Sequence, residues 1–203
     1  MIEHILTIPR AVFDSVGTFQ GFSPTIAPYL SAFFADDSAC FLPRPAAEDD
    51  PTHKQLIPYC VFVSGGKVLK YQRGGSGGEK RLTAKYSIGV GGHINPVDFS
   101  GKRFDLDAYE AAVQRELKEE VVIVGDIISR KIVGLINDDS NPVGRVHLGV
   151  VEVFELSEPS VAPNEDAILA PEFVDIDSLL ATRDAFETWS QIAMDNLFAT
   201  ERK

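Results

Sequence analysis

The sequence predicts an α+β fold, a mixed β-sheet with helices packed on it, and three observations carry the prediction. Apolar runs of strand length recur at 59–63, 68–71, 86–90, 132–136, 146–154 and 173–176, where alternating or continuous apolar residues favour extended chain. Helical patterning appears at 107–121 and again at 184–198. Strands and helices interleave without a regular βαβ period, which opposes a purely parallel sheet. The chain has 203 residues, 44% hydrophobic and 24% charged, which is enough apolar material for one core of ordinary size.

Taken in order, residues 1–57 read as an irregular N-terminal region. Ser23-Pro24 resembles a cap followed by proline in a first turn, opening a short helix over 25–34. Pro43, Pro45 and the run 46–51 suggest exposed connecting chain, and nothing before Pro51 has the regularity of a sheet. The runs 59–63 and 68–71 flank Ser64-Gly65-Gly66-Lys67 and form a hairpin. A glycine-rich loop at 74–78 leads to Lys80-Arg81 and a strand at 86–90. Gly91-Gly92-His93-Ile94-Asn95, a polar loop and the helix at 107–121 follow. The chain closes with a short helix after Asp177 and an amphipathic helix at 184–198. This division expects an extension, 1–56, packed on the same domain or forming a dimer surface, and a main domain over 57–203.

Charge narrows the partners. The net charge of −11 disfavours nucleic-acid polymers and anionic membranes, which bind by phosphate neutralisation. Against that background, 67–85 holds six basic residues and one acid, Glu79. A compact basic stretch in an acidic chain suits a small anionic ligand. No apolar run approaches the ~20 residues of a membrane-spanning helix. The opening residues lack the basic and apolar regions of a secretory signal, and the two cysteines, Cys40 and Cys60, cannot make a disulfide framework. A cytoplasmic protein is therefore expected.

The helix at 107–121 has unusual geometry. At about 100° per residue, Glu119 falls about 60° to one side of Glu116 and Glu120 about 40° to the other. Val113, Leu117 and Val121 form the adjoining core stripe, so the acids stand beside buried surface. Three like charges on one arc repel unless a cation lies among them, and Arg115 alone cannot neutralise three glutamates. Mg²⁺ and Mn²⁺ favour such hard oxygen ligands. A solvated acidic face is the competing reading of the helix alone.

Gly91-Gly92-His93-Ile94, Asp107 and Arg115-Glu116-Leu117-Lys118-Glu119-Glu120 together resemble the signature of the Nudix (MutT-like) hydrolase family. That signature is Gly, five residues, Glu, seven residues, then Arg-Glu-apolar-x-Glu-Glu-x-Gly-apolar. The resemblance covers about 57–183. Ser76-Gly-Gly-Glu-Lys-Arg-Leu82 with Gly91 to Asp98 is similar to a branch of the family grouped as phosphoesterases. Two departures stand out. About nine extra residues separate Gly92 from Asp107, which is expected to replace the first Glu, and Val122 replaces the Gly after the acid pair.

The resemblance implies an α/β/α sandwich, a Mg²⁺ or Mn²⁺ cofactor, and hydrolysis of a diphosphate linkage in a nucleoside diphosphate derivative or related small phosphorylated metabolite. It places the metal on Glu116, Glu119 and Glu120 with the carbonyl of Gly92, and uses Arg115 to hold a carboxylate by a bidentate pair. Glu165, in the loop before the 173–176 strand, is the candidate general base; Asp138 and Asp139 are alternatives that read better as turn residues. Arg73, Lys80, Arg81 and Lys85 flank the glycine-rich loop and are expected to meet substrate phosphates, with His93 a further substrate contact. A homodimer is compatible with these expectations. Two other readings compete. One is a Nudix-fold module that binds a nucleotide without cleaving it, favoured by Asp107 and Val122. The other is an isoprenoid diphosphate isomerase, disfavoured because neither cysteine adjoins a site motif.

Overall fold

The computed structural model describes residues 2–36, 38–74, 85–99, 104–164 and 166–199. The backbone separates into two compact units: Met1–Pro58, Gly92–Glu116 and Val133–Val150 make the first, and Tyr59–Gly91, Leu117–Ile132 and Val151–Lys203 the second. Backbone pairing among the described residues gives a ten-stranded sheet and a separate two-stranded one. The α+β class read from the sequence, a mixed sheet flanked by helices, is the class observed.

The first unit contains strands that the sequence did not announce. β1 (His4–Pro9) buries Ile5, Leu6 and Ile8. Helix α1 (Arg10–Val16) and strand β2 (Gly21–Ser23) follow, then helix α2 (Ala27–Phe33), strand β3 (Cys40–Pro43) and helix α3 (Arg44–Ala47). β1 runs antiparallel to β3, with Leu6 opposite Phe41, and to the start of β4 (His53–Ser64), with Thr7 opposite Gln55. These strands have six, three and four residues, too short for alternation to register, and pairing far along the chain creates them. Helix α2 begins later than expected, with Pro28 rather than Pro24 in its first turn. Its Tyr29 and Phe33 join Phe13 and Phe19 in an aromatic cluster, where Phe13 and Phe19 have ring centroids 5.6 Å apart.

Lys54 is the polar pin of this unit. It is 0% exposed and donates to Asp139 at 3.0 Å and to the carbonyls of Gly144 and Arg145 at 3.2 and 3.1 Å. Burial lowers its pKa, and the Asp139 carboxylate opposes that fall. Asp139 also takes a fork from Arg10, while Asp138 accepts from Gln20, Ser140 and Asn141. Both aspartates therefore hold the turn between strand β9 (Ile127–Asn137) and helix α5 (Pro142–Arg145). Phe22 of β2 lies opposite Ile136 of β9.

The second unit grows from the rest of β4. Gly65 and Gly66, at φ 55° and 78°, turn the chain into β5 (Lys67–Arg73), the pattern of a two-residue hairpin loop. β6 (Tyr86–Ser87) pairs with β5, and β7 (Gly89–Val90) pairs with β4 through Cys60 and Val90. Pro58, where the sequence suggested that the strand had not yet begun, falls between the stretches of β4 paired with β1 and with β7, so neither ladder needs its missing N–H.

Helix α4 (Leu106–Glu120) and β8 (Val121–Ile123) precede β9, and β10 (His147–Leu156) follows α5. β11 (Val161–Pro163) then pairs with β8, and β12 (Ile168–Asp175) lies antiparallel to β5, with Phe173 opposite Leu69. Helices α6 (Ile176–Ala181) and α7 (Thr188–Leu197) end the fold. The expected helix at 184–198 starts late because 183–185 forms a 3-10 turn and Phe186 is extended and buried, bridged to Tyr86. No described helix is long and apolar enough to cross a membrane.

Candidate active site

Helix α4 is capped by Asp105, whose carboxylate accepts the Ala108 N–H at 3.0 Å. Asp107, expected to replace the first Glu of the signature, lies exposed in the first turn, where its charge suits the helix dipole. The buried face carries Ala108, Tyr109, Ala112, Val113 and Leu117 and continues into Val121. With Val122 in place of glycine, the chain passes from Glu120 straight into β8, and the positive φ of 94° falls later, at Gly125. Asn164 ties the end of the helix: its N–H donates to the Glu120 carbonyl at 2.9 Å and its side chain to the Lys118 carbonyl at 3.0 Å. Two of the carbonyls that a helix end leaves without intrahelical partners are thus satisfied from a distant loop.

Arg115 organises the middle of α4. Its Nε and Nη2 donate to the two oxygens of Asp98 at 2.7 and 2.8 Å, and Nη2 also reaches the His93 carbonyl at 2.9 Å. Nη1 donates to Glu116 Oε1 at 2.7 Å. Asp98 is buried on a 3-10 turn, and its Oδ2 accepts the Asn95 N–H at 2.8 Å. The bond to Asp98 is the main cause that raises the pKa of Arg115, ahead of burial, which opposes it. The motif expectation is corrected here. Asp98, six positions after Gly92, supplies the acid of the Gly-five-residues-acid spacing, and the extra residues lie between Asp98 and the helix. The sequence carried that signal, hidden because helical periodicity drew attention to Asp107.

Glu116 is 8% exposed and its carboxylate lies against the backbone of Gly92. A Cβ at Gly92 would stand 2.4 Å from Glu116 Oε2, so only glycine admits the carboxylate there. Glu120 Oε2 accepts the Gly91 N–H at 3.3 Å, and Glu119 is exposed. The three acids share one helix arc, yet among the described residues no three His, Cys, Asp or Glu side chains gather as a metal cluster. The donor set nevertheless fits a hard divalent cation: carboxylates at 116, 119 and 120, one of them seated in a cradle closed to any side chain.

Of the candidate substrate cations, Arg73 ends β5, with side-chain exposure of 26% and Glu187 Oε2 3.6 Å from Nη1. Burial opposes its charge, but Tyr71, Glu187, Tyr59 and Glu120 together raise its pKa. Lys85 is exposed, and its carbonyl accepts the Arg73 N–H at 2.9 Å. Lys80, Arg81 and the candidate base Glu165 lie outside the described residues. His93 is half-buried, with Nε2 2.7 Å from Gln55 Oε1 and its ring centroid 5.9 Å from that of His147. Burial and the charges of Arg44, His147 and Arg115 push its pKa down to about 3.

The chain is 35% identical over 205 residues to protein YmaB of Bacillus subtilis, covering 97% of this chain and 98% of that one. Among solved structures, it matches the crystal structure of Tm1382, assigned as a Nudix hydrolase, at TM-score 0.78 and 30% identity, over 98% of this chain and 99% of that one. It also matches, at TM-score 0.52 and 14% identity, a bifunctional NMN adenylyltransferase/ADP ribose pyrophosphatase from Francisella tularensis complexed with AMP and a Mn ion; 72% of this chain and 42% of that one are covered. No protein-family model matches.

Proposed function

Because the chain belongs to the Nudix hydrolase family, we propose that it is a divalent-metal-dependent hydrolase of diphosphate linkages. Its substrate would be a nucleoside diphosphate derivative or a related small phosphorylated metabolite, attacked by water at phosphorus. The observation that carries this reading is the linked set Asp98–Arg115–Glu116–Gly92. A buried aspartate fixes the arginine, and the arginine turns the glutamate onto a glycine backbone that leaves room for nothing else. The likeness in fold to part of a bifunctional NMN adenylyltransferase/ADP ribose pyrophosphatase complexed with AMP and a Mn ion agrees with this ligand class.

Glu116, Glu119 and Glu120, with the Gly92 carbonyl, would hold Mg²⁺ or Mn²⁺. Such an ion neutralises diphosphate charge and lowers the pKa of a bound water. The chain's own groups do the rest. Arg115 orients Glu116 through the 2.7 Å bond from Nη1. Arg73 and Lys85, with Lys80 and Arg81 in the same assignment, receive substrate oxygens, whereas neutral His93 spends its one N–H on Gln55 Oε1 and has none for a substrate oxygen. Glu165 accepts the proton of the attacking water as the phosphorus–oxygen bond to the leaving group breaks.

The test is turnover of a panel of nucleoside diphosphate derivatives, ADP-ribose included, with Mg²⁺, after EDTA treatment, and after metal is restored. The reading expects hydrolysis that EDTA abolishes and Mg²⁺ restores. Metal-independent hydrolysis, or binding of the panel without cleavage, contradicts it.

A further inference from the structure

Glu187 has no role in the reading so far, and its surroundings are unusual. It occupies the N-cap position of α7, yet its side chain makes no cap hydrogen bond. The carboxylate turns instead into the interior, where Oε1 accepts the Ser87 hydroxyl at 2.6 Å, with Ser190 and Tyr59 hydroxyls each at 3.4 Å. Its N–H is tied to the Tyr86 carbonyl at 3.0 Å. Ser190 is fixed in turn by the Tyr59 hydroxyl at 2.8 Å and by the Ile88 N–H at 3.1 Å. A carboxylate held this firmly has one oxygen fully engaged and the other, Oε2, facing Arg73 at 3.6 Å.

Arg73 is the counterpart. Its side chain keeps 26% exposure while that of Glu187 has 5%. Among the described residues the guanidinium has this single ion pair and no side-chain hydrogen bond, so none of the five donors of its fork is hydrogen-bonded to a described neighbour. It also lies within electrostatic reach of Glu120, the last acid of α4. A buried anion thus holds the guanidinium from behind while its open side stays available to an oxyanion.

We propose that Glu187 is a positioning residue for substrate: it aims Arg73 at a phosphate oxygen of the diphosphate, so the start of α7 belongs to the binding apparatus. This rests on the assignment of Arg73 to substrate phosphates. Through-space charge alone predicts the opposite behaviour, because an anion beside the site repels a diphosphate. Neutralising Glu187 tightens binding if charge governs and weakens it if positioning governs.

The experiment is isothermal titration of the full chain with inorganic pyrophosphate in Mg²⁺ buffer, comparing wild type, Arg73→Ala, Glu187→Gln and the double variant. Positioning expects Glu187→Gln to weaken binding by about fivefold, from a misaimed fork. The double variant then binds no worse than Arg73→Ala alone, because residues acting through one another are not additive. Ser87→Ala, which removes the 2.6 Å bond to Glu187 together with the longer hydroxyl contacts to Gly89 and Ser190, is the second variant should Glu187→Gln fold poorly. It is expected to weaken binding less than Glu187→Gln, and to have no effect in the Arg73→Ala background. Unchanged or tighter binding by Glu187→Gln or Ser87→Ala, with a loss in Arg73→Ala, overturns the positioning role and leaves the Arg73 assignment standing. No loss in Arg73→Ala overturns both.

Discussion

Asp98 and Arg115, seventeen positions apart, meet in a bidentate pair with N–O distances of 2.7 and 2.8 Å. The aspartate side chain is 3% exposed, so the pair is largely desolvated on the acid's side. Through Arg115, a residue on a short turn controls where Glu116 points.

Asp98→Asn is therefore expected to abolish most turnover and to cost about 2 kcal/mol of stability, since a charge-assisted fork is replaced by a neutral contact. Asp107→Asn, at the exposed start of α4, is expected to leave turnover within about twofold and stability within about 0.5 kcal/mol. Steady-state kinetics and urea unfolding of the two variants check this. Equal losses would return the role to Asp107.

Gly92→Ala separates activity from stability. The added methyl meets the carboxylate end of Glu116, at 2.4 Å from Oε2, and not backbone, so the side chain swings aside and the cost to folding is confined to its contact with Arg115. Displacing that carboxylate by about 1 Å is expected to lower kcat/KM by about a hundredfold. A thermal melt close to wild type with a collapsed rate is the expected pair of results. An active Gly92→Ala would mean that the seat of Glu116 does not matter.

Much of this site was legible beforehand, and the exceptions share a cause. The arc of Glu116, Glu119 and Glu120 and the stripe of Val113 and Leu117 follow from local helical period. Asp98 escaped because its partner lies across a loop insertion, and spacing within a helix carries no information about that. Glu187 escaped because it resembles an ordinary helix-start acid, and only folding brings Ser87 and Arg73 to it. The same holds for β1, β2 and β3, whose few residues become strands by pairing with distant chain.

His93 sets a pH dependence. Its folded pKa of about 3 lies below the unfolded value near 6.5, so between these values the unfolded chain binds a proton that the native chain refuses. Stability should fall as pH drops from about 6.5, by at most about 1.4 kcal/mol per pH unit from this one group. Asp139 behaves differently: burial works against its charge, but Arg10 and Lys54 hold its pKa down to about 2. Its contribution is present above the unfolded carboxylate pKa and is lost as pH falls below that value towards about 2. Urea midpoints at pH 7 and pH 5 should differ in the wild type and differ less in His93→Gln. An identical shift in both assigns the effect elsewhere.

The central claim is that α4 holds a divalent cation, and electron paramagnetic resonance of Mn²⁺ tests it most directly. Titrating the chain with Mn²⁺ beside a nonhydrolysable diphosphate analogue should remove free Mn²⁺ signal. Glu116→Gln, Glu119→Gln and Glu120→Gln should each weaken that uptake by about tenfold or more while the thermal melt is retained. Uptake that none of the three substitutions weakens, or no uptake by the wild type, would contradict the claim.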